Sequence, residues 1–182
     1  MHYLLRKSLI PALAIAAIAG SGLSHADTQA SNSAATPQSL GWLEEGVIMP
    51  EDLTVKFKLD SGALTSSMHA EDIERFEKDG EDWVRFRVEL EDINSEKTVA
   101  STFERPLVRN LKVRGAGGSE ERPVVNMDGC IAGSALNQEF SLRDRSNMHY
   151  PVLLGRSTLD ELGMVDTSRT YTTKPDCSSK QA

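Results

Sequence analysis

Val55, Phe57 and Leu59 alternate with Thr54, Lys56 and Lys58, a period of two that predicts a half-buried strand. That strand runs straight into Asp60-Ser61-Gly62-Ala63, so a carboxylate stands where a buried strand surfaces, followed by a hydroxyl and a glycine. A second clear alternation puts Val84, Phe86, Val88 and Leu90 on one face and Arg85, Arg87 and Glu89 on the other. Before it, Asp79-Gly80 suits the positive φ angles of a tight hairpin turn. Further strands are predicted over 64–70, 98–103, 107–113, 122–127 and 139–143, with Pro106 interrupting pairing or sitting at an edge. Gly115-Ala116-Gly117-Gly118 reads as a flexible connection. Pro151 to Leu154 is another apolar run, ending in Gly155-Arg156. One helix is predicted, Ser157 to Leu162, with Ser157 and Asp160 at capping-box spacing and Gly163 as its stop. Many short strands and one short C-terminal helix imply an all-β domain built on a closed or strongly curled sheet.

The N-terminus follows a different pattern. Arg6 and Lys7 precede an apolar run from Leu9 to Ala19, and Ser24-His25-Ala26 supplies small residues at a cleavage position, so residues 1–26 read as a secretory signal peptide cut after Ala26. The run is shorter than the roughly 18 residues a membrane span needs. Residues 27–40, rich in Ser, Thr, Ala, Asn and Gln, read as a flexible linker, residues 41–172 as one domain and residues 173–182 as a tail. The product is expected in the periplasm or outside the cell, with no membrane attachment after cleavage.

Charge narrows the partners. Loss of Arg6 and Lys7 takes the net charge from −7 to about −9, a poor balance for nucleic acid or an anionic membrane. Acidic substrates are disfavoured too, unless Arg85, Arg87, Arg109 or Arg114 line a cleft. The only cysteines, Cys130 and Cys177, could form a disulfide in an oxidising compartment, or remain as a buried thiol and a tail thiol.

Taken together, Asp60-Ser61-Gly62-Ala63 with Thr65-Ser66 and His69-Ala70, Arg122-Pro123-Val124-Val125, Asp144-Arg145-Ser146, and Pro151 to Arg156 followed by Leu159 resemble the retropepsin-like aspartic peptidases. The similarity is to the bacterial group labelled "ATP-dependent zinc protease" and covers roughly residues 41–171. It implies a single-lobe acid-protease closed barrel, with Asp60, Ser61 and Gly62 catalytic. Ala63, Thr65, His69, Leu154, Gly155 and Arg156 would bind substrate or support the site, and Gly117 would lie in a flap tip over 115–118. The Asp79-Gly80 hairpin is the competing flap. Ser61 stands where the group usually has Thr, and Leu64 where it commonly has Arg.

The chemistry behind the triplet is a pair of carboxylates sharing one proton, one acting as base toward water while the other protonates the substrate. Ser61 would hold the carboxylates in plane. No second Asp-Thr/Ser-Gly-Ala element exists, and Asp166-Thr167-Ser168 reads as a structural turn, so the resemblance implies a homodimer with one Asp60 per subunit. No cofactor is expected: His69 and His149 belong to no His-Glu-x-x-His arrangement, and no phosphate-binding Gly-rich loop is present. His69 reads as a polar strand residue, and Asp144 with Arg145 as an ion pair bracing the site. The alternatives are a peptide- or partner-binding module on the same fold and a zinc-dependent hydrolase.

Overall fold

The computed structural model describes residues 38–115 and 118–177. The signal peptide and most of the linker expected over 1–40, together with Gly117 and the last five residues, lie outside the described residues.

Among the described residues, twelve strands and one helix follow in order: β1 (Ser39–Gly41), β2 (Leu43–Met49), β3 (Leu53–Leu59), β4 (Ser66–His69), β5 (Glu71–Lys78), β6 (Glu81–Asp92), β7 (Lys97–Pro106), β8 (Arg109–Gly115), β9 (Gly118–Ile131), β10 (Ser134–Arg143), β11 (Val152–Leu154), α1 (Arg156–Leu162) and β12 (Met164–Asp166). Six of the strands pair in a closed ring, β10-β4-β11-β3-β2-β9 and back to β10, with β8 extending from β9. Among the described residues the fold is therefore all-β and ring-closed with one short helix, as the many short strands and the single helix signal imply.

Side chains pointing into the ring include Val55, Phe57, Leu59, Met68, Val125, Met127, Val152 and Leu154, each at most 3% exposed. Burying a side chain of this size stabilises by roughly 1.5–3 kcal/mol, so these positions carry much of the core. A separate sheet, β5-β6-β7, joins the same core through Val84, Phe86, Val88 and Leu90, the apolar face of the second alternation. Phe86 stacks on Phe103 at 5.4 Å between ring centroids. The β5–β6 turn has Asp79 and Gly80 at φ 55° and 81°, as the dipeptide predicts. Pro106 ends β7, an outer strand of that sheet.

Three sequence expectations need correction. The domain begins before residue 41, because Ser39 to Gly41 pair in parallel with Met164 to Asp166 and Leu40 is fully buried. Leu40 belongs to the core although its neighbours look like linker. The helix starts at Arg156 with Gly155 as N-cap and no side-chain cap. Ser157 lies inside it and donates instead to the Leu64 carbonyl at 3.1 Å, so there is no capping box; Gly163 does stop the helix, its N–H bonding Leu159 O. The residues after 172 also pack on the body: Cys177 is bonded to Cys130, and Thr173 reaches Glu44.

Candidate active site

Parallel pairing decides what meets at the site. β11 runs alongside β3 with Leu154 opposite Leu59, so the residues following each strand emerge together at one end of the ring. Asp60 N–H donates to Leu154 O at 2.8 Å, which ties the first residue of the loop to the last residue of β11. The two apolar runs thus form one unit.

The loop 60–65 is then fastened from behind by the start of α1. Arg156 N–H bonds Ala63 O at 2.9 Å and Ser157 N–H bonds Leu64 O at 3.1 Å. The Arg156 guanidinium donates from Nη1 to Ser61 O at 3.0 Å. Gly155 is needed for this closeness: a Cβ there would stand 2.5 Å from the Thr65 carbonyl carbon. Beneath the loop, Gly155 N–H donates to Ser66 Oγ at 3.0 Å, and that hydroxyl shares a 2.9 Å hydrogen bond with Thr158 Oγ1. Both hydroxyls are buried, and each satisfies the other.

Asp60 itself is a quarter exposed and held at both oxygens. Gly62 N–H donates to Oδ1 at 3.0 Å, and Lys58 Nζ lies 3.3 Å from Oδ2. Within one chain the carboxylate is therefore oriented by Gly62 and Lys58. Ser61 and Gly62 are exposed, and Leu64 is 63% exposed beside them. Lys58 was hidden from sequence reasoning because a polar residue in an alternating strand reads simply as the solvent face. Thr158 was equally hidden, whereas Ser66 belongs to the Thr65-Ser66 pair that carries part of the resemblance, although nothing in the sequence pointed to its hydroxyl bonding Thr158.

His69 is brought elsewhere. β4 runs antiparallel to β11, so His69 lies beside Pro151 at the beginning of β11, whereas Asp60 lies beyond its end. The imidazole is buried, and Nδ1 accepts the Arg145 N–H at 2.9 Å. Glu71 Oε1 is 3.6 Å from Nε2 and Asp144 Oδ1 is 3.8 Å from Nδ1. These three residues could contribute ligand atoms to a metal, all within 4.8 Å of one another. With Nδ1 engaged by Arg145, an ion would have to take His69 through Nε2.

Asp144 and Arg145 do not pair. Asp144 accepts from Ser146 N–H at 2.8 Å, and that bond holds its carboxyl below the usual range. Arg145 turns the other way, donating from Nε and Nη2 to Tyr150 O at 3.2 and 3.1 Å. Adjacent residues in a tight loop point apart, so chain neighbours of opposite charge need not touch. Asp166 does form a local turn, accepting from Ser168 N–H and Oγ. Of the two cysteine alternatives, the bonded one is present, with Cα atoms of Cys130 and Cys177 6.0 Å apart.

Comparison with known proteins agrees with this architecture. A family model described as RimB-like, retropepsin-like aspartic endopeptidase RimB, matches residues 39–176. A Shewanella pealeana protein named probable alpha-L-glutamate ligase is 35% identical over 118 residues, covering 64% of this chain and 25% of that protein. One of the same name from Desulfotalea psychrophila is 31% identical over 113 residues, covering 62% and 24%. The chain thus spans about a quarter of the length of these curated relatives. A solved Legionella pneumophila structure, a DUF785 protein of unknown function, is 31% identical with a TM-score of 0.63, covering 75% of this chain and 98% of its own.

Proposed function

This chain belongs to the RimB-like family of retropepsin-like aspartic endopeptidases, and from that premise we propose that it hydrolyses peptide bonds with water activated between two Asp60 carboxylates, one from each subunit of a homodimer. The observation that carries the reading is Asp60 at the end of β3, oriented by Gly62 N–H and set in a loop that Arg156 and Gly155 hold from behind.

A single carboxylate cannot act as base and acid at once. Two at close range share one proton and titrate as a unit, so one takes a proton from water while the other gives one to the substrate carbonyl and later to the leaving nitrogen. The exposure of the loop is compatible with this pairing: Ser61, Gly62 and Leu64 present a surface directly beside Asp60, and an isologous contact there would bring identical loops together on a two-fold axis. The β8–β9 hairpin, which extends the ring, serves as the flap over substrate in this reading.

Glutamyl peptides are the proposed substrates, on the strength of the glutamate-ligase names of the relatives. The glutamyl bond that a glutamate ligase forms is the bond such a peptidase would cleave, so the product of one reaction would be the substrate of the other. Export to the periplasm or beyond, through residues 1–26, is the proposed location, and the Cys130–Cys177 bond supports an oxidising compartment.

The test is hydrolysis of glutamyl peptides by wild type and Asp60→Asn from acidic to neutral pH. The variant should lose about a thousandfold or more of the activity. Equal rates would remove the peptidase reading and leave a binding module on the same fold.

A further inference from the structure

Residues 169–177 carry no strand or helix, yet they are tied along their length to the start of the domain. Arg169 O accepts the Trp42 N–H at 3.0 Å, and Tyr171 N–H donates to Leu43 O at 2.7 Å. Thr172 and Thr173 donate to the two oxygens of the buried Glu44 carboxylate, and Lys174 Nζ lies 2.7 Å from Glu45 Oε2. At Cys177 the segment is bonded covalently to Cys130 of β9.

What this strap grips stands directly behind the candidate site. Trp42 O accepts the N–H of Leu59, the residue before Asp60, at 2.9 Å, and Leu43 pairs with Lys58. Further along β2, Val47 pairs with Cys130. The strap thus crosses β2, fixed at one end to its first residues and at the other to β9 opposite Val47.

The disulfide is not sealed inside the fold. Cys130 is 5% exposed and Cys177 half-buried, and both line a recess of about 310 Å³ whose walls include Val47, Ala135 and Pro175. Exchange of a disulfide depends on access to its sulfurs, and a recess of this size admits a small dithiol. A bond spanning 47 positions also stabilises by restraining the unfolded chain, whatever it holds. Its place on the strap adds a second role.

We propose that Cys130–Cys177 is a reducible latch: a dithiol entering the recess opens it, frees the strap and slackens the backbone that holds Asp60. One thiolate of the dithiol attacks Cys177 Sγ, forming a mixed disulfide and releasing the Cys130 thiolate, which takes up a proton. The second thiolate of the dithiol then attacks its own sulfur in the mixed disulfide and releases Cys177 as a thiol. Two electrons and two protons pass to the protein, and the dithiol leaves as its intramolecular disulfide. In the oxidising compartment proposed for this chain the latch is closed, and it opens where a dithiol reaches it. This goes beyond the peptidase reading, because the latch acts on the backbone behind loop 60–65 and not on a step of hydrolysis.

Two measurements test it. Oxidised protein is treated with dithiothreitol at several concentrations, without denaturant, and the thiols released are counted. Release in proportion to dithiothreitol is expected, because it marks attack on the folded protein. A rate independent of dithiothreitol, set by global unfolding, would overturn the latch. Amide hydrogen exchange is then compared between the oxidised and reduced forms. Trp42, Leu59 and Tyr171 should exchange about tenfold or more faster after reduction, and Phe86 and Val88 of β6 should change less. An equal rise at all five, no rise at all, or a reduced protein that unfolds outright would make the bond a structural staple only and overturn the proposal. Cys130→Ser/Cys177→Ser protein should match the reduced form with or without dithiothreitol; exchange like that of oxidised wild type would be equally decisive. Reduction should also lower peptide hydrolysis about threefold or more, and an unchanged rate would overturn the link to Asp60. A wild type that hydrolyses no peptide loses the peptidase reading, while hydrogen exchange still decides the latch.

Discussion

The Arg156 guanidinium donates from Nη1 to the Ser61 carbonyl at 3.0 Å, joining two residues 95 positions apart. A second contact, to Gly62 O at 3.4 Å, makes this one exposed side chain a brace for the loop that carries Asp60.

Arg156→Ala should therefore separate activity from stability. An exposed side chain outside the core contributes little to folding, so the unfolding free energy should change by less than about 1 kcal/mol. Peptide hydrolysis should fall about tenfold or more, because small displacements of a catalytic group are costly in rate. Arg156→Lys should recover only part of it, since lysine lacks the planar fork. Urea unfolding and steady-state kinetics on the same preparations check both halves.

Gly155→Ala tests the closeness of the two halves of the site. The added methyl would stand 2.5 Å from the Thr65 carbonyl carbon and 2.8 Å from that of Leu64. Backbone on both sides leaves little room to yield, so a loss of about 2–3 kcal/mol is expected by thermal unfolding. A wild-type melting temperature would mean that loop 60–65 can move away from β11 freely.

Glu44 gives the fold an acid-sensitive fastening. Its fully buried carboxylate accepts from Gly41 N–H at 2.6 Å and from the backbone and hydroxyl groups of Thr172 and Thr173. Burial works against the charged form, but these donors outweigh it and hold the pKa below the ordinary glutamate value. With the folded pKa below the unfolded one, the unfolded chain takes up the proton first as pH falls. The stabilisation is thus present above the ordinary value and is lost as pH drops through the folded one. Glu44→Gln should lose about 1–3 kcal/mol at neutral pH and show a shallower decline toward acid. Parallel curves of melting temperature against pH for the two proteins would contradict this role, because the other depressed carboxylates are common to both.

What could be read from the sequence was local in origin. The buried face of β6 follows from its period of two, the β5–β6 turn from Asp79-Gly80, and the position of Asp60 from an apolar strand ending in a polar triplet. What could not be read depends on partners distant in the chain or on the path of a loop. Glu44 looks like an ordinary strand glutamate until Thr172 and Thr173 arrive 128 and 129 positions later. Leu40 looks like linker until β12 pairs beside it. Arg145 looks like a partner for its neighbour Asp144, whereas the fold turns it to Tyr150. Strand pairing settles Leu40, the C-terminal segment settles Glu44, and the path of the β10–β11 loop settles Arg145, none of which alternation alone encodes.

The central claim, that catalysis needs an Asp60 from each of two subunits, is tested most directly by subunit mixing. Wild type and Asp60→Asn are unfolded together, refolded at a fixed total concentration over a series of ratios, and assayed on one glutamyl peptide. Random pairing predicts that activity falls as the square of the wild-type fraction, because mixed pairs hold only one functional carboxylate. Activity proportional to the wild-type fraction itself would mean that each chain works alone and would contradict the account.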